Sequence, residues 1–376
     1  MDTKKFMVTL LKNAVDGTQT SLPEDVSFDE LYKVSKMNNV DALCGYAIKS
    51  IKDNIPAEIW KAFEKSMFFS AMVDVRQDAE VVAVMDLLKQ NEVPAILLKG
   101  YVLKKMYPVA HMRTMSDIDI LIPPEKAQQA KDVLVARGYA VTYENVREFN
   151  AELKGMINIE IHLDMISATY KEYHEYYSDI WQKARVENGE YKLSDEDFII
   201  YHVVHIMKHY ISIGIGIRAF LDVYVFMREK GESLNYTYID EELEKLGIKD
   251  FFYNVIAVSN MWFNGAEETE ITKEMAEFIL AGGVFGAQER VELYKEIEAG
   301  YKGKWHAIKA SLFPDMHSMS AQYPILLKHK HLLVVFWVVR IFKKLTSKTR
   351  AGAINKVLRG DENADKIGKH LKNVGL

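Results

Sequence analysis

The sequence predicts an α+β fold, with a small mixed-sheet unit inserted between an N-terminal helical segment and a mainly helical C-terminal region. Three observations predict it. Residues 1–92 carry helical spacing and caps. Residues 93–163 switch to short apolar runs and period-two alternation, punctuated by Gly and Pro. From about residue 194 helical spacing returns. The implied division is a helical region over 1–92, an α/β domain over 93–192, a helical domain over 193–312 and a basic tail with an apolar segment over 313–376.

Ser27-Phe28-Asp29-Glu30 has the form of a capping box ahead of Leu31, Val34 and Met37. A longer amphipathic stretch from Val73 to Gln90 carries Val81, Val82, Val84, Met85, Leu87 and Leu88, and Asn91 ends it. Val93-Pro94-Ala95-Ile96-Leu97-Leu98 is a short strand-like run closing at Lys99-Gly100, followed by a helix-like piece from Tyr101 to Tyr107. Met115-Ser116-Asp117-Ile118-Asp119-Ile120-Leu121-Ile122 alternates and reads as a strand. Pro123-Pro124 opens a helix through Ala127, Ala130, Val133 and Leu134 to Gly138. Tyr139–Tyr143 and Met156–Leu163 read as two further strands. Ser194-Asp195-Glu196-Asp197 caps a helix through Tyr210, Gly214 and Gly216 interrupt it, and more helices follow to about 312.

Composition bounds the function. The 376 residues are 49% hydrophobic and 27% charged, with 20 Gly and 8 Pro, which is ordinary for a globular chain. A single cysteine, Cys44, excludes an intramolecular disulfide and a cysteine-based metal site. The opening Met1-Asp2-Thr3-Lys4-Lys5-Phe6 leads into a segment too polar for a signal-peptide core, so a cytoplasmic location is expected. The net charge of -5 is unevenly spread: residues 301–376 carry 15 Lys+Arg against 4 Asp+Glu, a net +11, which leaves -16 over residues 1–300. The acidic body argues against stable nucleic-acid binding, whereas the basic tail suits a partner or a membrane surface. Its longest apolar run, Leu332–Val339, is far short of the roughly 20 residues a span requires.

The chemistry concentrates in the sheet unit. Alternation puts Asp117 and Asp119 on one strand face, their Cα atoms about 7 Å apart, where the two charges repel unless a cation lies between them. A hard divalent ion, Mg2+ or Mn2+, is the economical occupant, and such ions bridge to phosphates. A lone Asp-x-Asp is also what a half-exposed edge strand looks like, so its neighbours decide. Glu160 and His162 share a face of a second alternating strand, and Lys99-Gly100 stands where a strand turns into a helix. Glycine there lets a backbone approach a phosphate closely.

Taken together, Leu98-Lys99-Gly100, Arg113-Thr114-Met115-Ser116-Asp117-Ile118-Asp119-Ile120-Leu121 and Glu160-Ile161-His162 resemble the nucleotidyltransferase superfamily typified by DNA polymerase beta, and within it a poorly characterised bacterial branch. The resemblance covers residues 94–225 well, continuing through Leu193-Ser194, His202, His205, His209, Arg218 and Asp222, and more loosely Tyr323-Pro324, Trp337 and Arg340. It implies metal-dependent transfer of an NMP, AMP from ATP foremost, to an acceptor hydroxyl. Asp117, Asp119 and Glu160 would be the catalytic acids and would ligate two metal ions. Lys99, Gly100, Arg113 and Ser116 would bind the nucleotide, with His162, His205 and His209 behind them. One departure stands out: the superfamily has a small residue after the turn glycine, and here that place is Tyr101. Phosphate contacts are therefore expected to shift to Lys99, Arg113 and Ser116.

Other readings stay open. His202, His205 and His209 share a helix face, which suits either packing and polar bonds or, less readily, a zinc or iron site. Arg218 and Asp222, at i and i+4, suit a structural ion pair. A catalytically silent nucleotide-sensing or interaction module is the alternative function. A glycosyltransferase accounts for the two aspartates and leaves Lys99-Gly100 and Glu160 without roles.

Overall fold

A computed structural model of the chain describes residues 2–153, 157–168, 170–211, 214–282, 325–346 and 362–376, with single positions between 313 and 323. The fold is α+β, with a mixed seven-stranded sheet between helical regions. Five helices precede or enter the sheet: α1 (Thr3–Asp16), α2 (Phe28–Met37), α3 (Asp41–Ile48), α4 (Ala57–Gln90) and α5 (Lys99–Lys104). The strands are β1 (Ile96–Leu97), β2 (Ile118–Leu121), β3 (Ala140–Glu144), β4 (Glu148–Leu153), β5 (Ile157–His162), β6 (Arg185–Glu187) and β7 (Glu190–Lys192). Helices α6 (Ala127–Ala136), α7 (Lys171–Tyr176) and α8 (Ile180–Lys183) connect them. Beyond the sheet lie α9 (Asp195–Ile211), α10 (Ile217–Lys230), α11 (Tyr236–Leu246), α12 (Lys249–Phe263), α13 (Glu270–Gly282), α14 (Ile325–Lys328), α15 (Leu333–Thr346) and α16 (Glu362–Asn373). The helices expected to continue to 312 lie largely outside the described residues beyond Gly282. No described helix is long and apolar enough to cross a membrane.

The N-cap half of the expected capping box forms, and so does the cap at Ser194. Ser27 Oγ accepts from the Glu30 N–H, and Ser194 Oγ from the Asp197 N–H, starting α2 and α9. The Glu30 carboxylate accepts a hydrogen bond from Thr3, which ties α2 to α1. The amphipathic stretch from Val73 to Gln90 is the second half of the 34-residue α4, about 50 Å long.

Strand order is β3-β4-β5-β2-β1-β7-β6. β2 runs parallel to β5, and β1 parallel to β7; the other neighbours are antiparallel. The alternation then has a direct consequence. Ile118, Ile120, Ile159 and Ile161 form one apolar core with Val81, Val84 and Leu88 of α4 and Ala130 and Leu134 of α6. The side chains between them, Asp119, Glu160 and His162, project to the opposite face. The expected strands over 139–143 and 156–163 are β3 and β5, Met156 lying outside the described residues. Strand β4 and the β6–β7 hairpin are additions to the order read from the sequence. β4 alternates Phe149 and Ala151 with polar residues, and it is held by pairing on both edges with β3 and β5.

The segment entering β2 is clamped from two sides. From α4, Ser70 Oγ donates to the His111 carbonyl and Gln77 Nε2 to that of Met115 at 3.2 Å. From α10, Arg218 Nη1 donates to the Thr114 carbonyl at 2.9 Å, and Asp222 takes Arg113. Lys104 of α5, fully buried, pairs with Asp74 at 2.8 Å and Asp78 at 3.0 Å on α4.

Candidate metal and nucleotide site

The parallel register sets Asp119 beside Glu160 across β2 and β5. His162, two residues further along β5, returns to the same face, and its Nε2 lies 2.8 Å from Asp119 Oδ1 and 3.7 Å from Glu160 Oε1. Asp119, Glu160 and His162 each offer a ligand atom within 4.8 Å of the others. β4 adds Glu148 directly opposite His162, with Glu148 Oε2 3.8 Å from His162 Nδ1.

Lys99 completes this centre. It links β1 to α5 with a φ of +42°, a left-handed conformation uncommon outside glycine, and strained backbone of this kind gathers at functional positions. Its Nζ donates to Asp119 Oδ1 at 2.8 Å. Burial opposes the charge on both groups, but the attraction wins. Lys99 and the His162 hydrogen bond hold the Asp119 carboxyl well below the usual carboxylate range, and Asp119 holds the Lys99 ammonium above its usual value. Glu160 moves the other way: burial raises it, with the Asp119 and Glu148 carboxylates adding to the rise and His162 and Lys99 opposing. It is the acid whose charge is disfavoured, mostly by burial, a cost that a bound cation would offset.

The remaining residues singled out from the sequence fall around this group. Asp117 precedes β2, stands outside the three-residue ligand cluster and accepts a hydrogen bond from Ser116 Oγ at 3.0 Å. Ser116 is exposed. Arg113 is buried, and it gives Nε and Nη2 to Asp222 at 2.7 and 2.8 Å, while Tyr107 donates to the same carboxylate. Asp222 therefore pairs with Arg113 across 109 residues and not with Arg218, its helical neighbour at i-4; Arg218 is drawn to Thr114. Gly100 answers to Arg113 as well. A Cβ there would stand 2.6 Å from Arg113 Nη1 and 2.8 Å from Met115 Sδ, so its close approach is to these side chains.

Helix α9 packs over the acidic face. Its buried Tyr201 phenol is pushed up to about 12, chiefly by burial, with the Lys99 ammonium opposing. His205 and His209 stack edge to face with centroids 4.4 Å apart. Burial, reinforced by Lys99 and Lys208, keeps both neutral, His209 falling to about 3. His202 faces elsewhere, stacked on Phe198. Among the described residues, the metal-ligand cluster contains none of these three histidines.

Two cations on this face were not singled out from the sequence. Lys208 is lowered to about 8, first by burial and then by repulsion from Lys99 and Arg147. Arg147 has a buried Nε without a hydrogen-bond partner. Cations that crowd one another beside carboxylates are suited to a polyanion bridged by metal. No local signal marks them. Arg147 lies in the turn before β4 and Lys208 on a helix whose face is set only by packing.

Residues 24–264 match the model of a family described as uncharacterised nucleotidyltransferase, and the chain belongs to that family. The crystal structure described as "putative nucleotidyltransferase from H. pylori" is similar at 12% identity and a TM-score of 0.30, over 55% of this chain and 92% of that one. No curated protein matches the chain.

Proposed function

We propose that this family member transfers an NMP from a nucleoside triphosphate to an acceptor hydroxyl, with ATP as the donor to test first. The observation that carries the reading is the convergence of Asp119, Glu160 and His162 within 4.8 Å beside the Lys99 ammonium. The donor set fits a divalent cation: carboxylate oxygens and an imidazole nitrogen, with the Glu160 charge disfavoured until one binds. Mg2+ or Mn2+ would be held by Asp119 and Glu160, with Asp117 joining in a two-ion arrangement. When bound, such ions neutralise the triphosphate and lower the pKa of a coordinated hydroxyl.

The chain's own groups do the rest. Lys99, Lys208 and Arg147 attract and orient the triphosphate; Ser116 and the Gly100 turn lie on the approach from the 99–100 and 113–119 segments. Arg113, two of its N–H groups committed to Asp222, acts in this reading by fixing the 113–119 segment. Glu160 would also accept the acceptor's proton. The acceptor oxygen then bonds to the α-phosphorus, and the bond to the bridging oxygen breaks with release of pyrophosphate. His205 and His209 line the same face as neutral polar groups. Residues 93–192 would thus form the catalytic unit, covered by α9. Family membership removes the ground for the glycosyltransferase alternative.

Calorimetry with ATP, GTP, CTP, UTP and UDP-sugars, with and without Mg2+ or Mn2+, tests the donor site on wild type and on the Asp117→Ala/Asp119→Ala double variant. Metal-dependent binding of one triphosphate, lost in the double variant, is expected. Asp119→Asn should abolish transfer of an α-labelled nucleotide while circular dichroism stays unchanged. No triphosphate binding at millimolar concentration, or undiminished transfer by Asp119→Asn, would overturn the proposal. Binding without transfer to any acceptor would favour the silent sensing module.

A further inference from the structure

We infer that His162 Nε2 is itself a ligand of the ion beside Asp119 and Glu160, so that the site prefers a nitrogen-accepting divalent ion such as Mn2+ or Co2+ over Mg2+. The inference deepens the proposed nucleotidyl-transfer reading and rests on it for the purpose of the ion.

Geometry supplies the first argument. Three ligands at about 2.1 Å in mutually adjacent octahedral positions stand about 3.0 Å from one another. Here Nε2 is 2.8 Å from Asp119 Oδ1 and 3.7 Å from Glu160 Oε1. The imidazole is therefore already spaced as a coordination partner of Asp119, and Glu160 has to close toward it by about 0.7 Å. His162 is buried and rooted in β5, which pairs on both edges, so the ring has little freedom to retreat.

The second argument concerns the other ring nitrogen. A metal-bound imidazole donates its remaining N–H to a carboxylate or carbonyl, which fixes the tautomer and leaves a lone pair for the ion. Glu148 stands opposite His162 in the β4–β5 ladder, with its Oε2 3.8 Å from Nδ1. A shift of about 1 Å makes this a hydrogen bond. Glu148 is then a positioning residue: it holds the proton at Nδ1 so that Nε2 can leave its contact with Asp119 and turn its lone pair to the ion.

Ion preference follows from ligand type. Mg2+ favours an all-oxygen octahedron and dehydrates reluctantly, whereas imidazole suits transition metals. A site of two carboxylates and one imidazole discriminates between them, which the three-carboxylate arrangement does not.

The test measures ion binding on the full chain without nucleotide. Mn2+ and Mg2+ affinities come from calorimetry and from Mn2+ EPR competition, and ligation comes from the Co2+ visible spectrum. Wild type should bind Mn2+ at least about tenfold more tightly than Mg2+ and give a Co2+ spectrum with nitrogen ligation. His162→Asn should lose the preference and shift that spectrum. Glu148→Gln, which keeps every ligand, should weaken Mn2+ binding about 10–100-fold and alter the Co2+ spectrum. Equal affinities for the two ions in wild type, or an unchanged Co2+ spectrum in His162→Asn, would overturn the inference. Equal affinities for the two ions in a wild-type chain that still transfers nucleotide would sink the inference and leave the transferase reading standing. Selective Mn2+ binding without any triphosphate binding would do the reverse.

Discussion

Replacing His202 with Phe tests how the burial of α9 couples to acidity. His202 is 4% exposed, lies parallel to Phe198 with a 6° interplanar angle, and offers two ring nitrogens without hydrogen-bond partners. Burial lowers its pKa from 6.5 to about 4, so the ring is neutral in the folded chain. Between those two values the unfolded chain binds a proton that the folded chain refuses, so stability is complete above pH 6.5 and declines as pH falls toward 4. At pH 5 the unfolded ring is almost fully charged and the folded ring scarcely so. The loss is then about 2 kcal/mol relative to pH 7, on the way to a limit of about 3 kcal/mol. Phenylalanine is close in size, continues the stack with Phe198 and removes both the titration and the unpaired nitrogens. Urea denaturation of wild type and His202→Phe at pH 7 and pH 5, at one ionic strength, isolates the term, because every other titrating group is shared. The stability difference should move by about 2 kcal/mol in favour of the variant on going from pH 7 to pH 5. Parallel changes in the two proteins would refute the reasoning and show that His202 is protonated in the folded chain as readily as in the unfolded one.

Asp222→Asn leaves the Arg113 guanidinium buried against a neutral amide and should cost about 3–5 kcal/mol in denaturant unfolding, and a loss below about 1 kcal/mol would remove this pair as the anchor of the 113–119 segment. Gly100→Ala drives a methyl to within 2.6 Å of Arg113 Nη1, which Asp222 prevents from withdrawing, so a cost of about 1–3 kcal/mol is expected. That cost should shrink in the Asp222→Asn background, where additivity instead would show that Arg113 is not what the methyl meets. Triphosphate affinity should weaken as pH rises through about 8, where Lys208 loses its charge, and calorimetry of Lys208→Met should find that part of the pH dependence gone. An unaltered pH profile in that variant would place Lys208 away from the nucleotide.

The alternation of residues 115–122 determined by itself that Asp119 would leave the apolar face, since side chains on a strand change sides at every residue. The caps at Ser27 and Ser194 were equally legible, because a hydroxyl reaches an N–H only three residues away. So were the helix–sheet–helix order and the succession of an Asp-x-Asp strand and a later strand carrying an acid. Strand β4 carries a legible alternation of Phe149, Ala151 and Leu153 with polar residues, but the pairing with β3 and β5 that holds it is not encoded there. Nor are the partners across long separations. The i, i+4 spacing of Arg218 and Asp222 suggested a local pair, but the buried carboxylate meets Arg113 from another element, because a bidentate guanidinium in a desolvated site outcompetes a neighbour drawn to a carbonyl. Only the tertiary structure decided that His162 stands with Asp119 and Glu160 while Asp117 stands apart, and that Arg147 and Lys208 face the acids. Period and capping are short-range properties written residue by residue. Register between strands forty residues apart, and the face a helix turns toward a sheet, exist only once the chain has closed on itself.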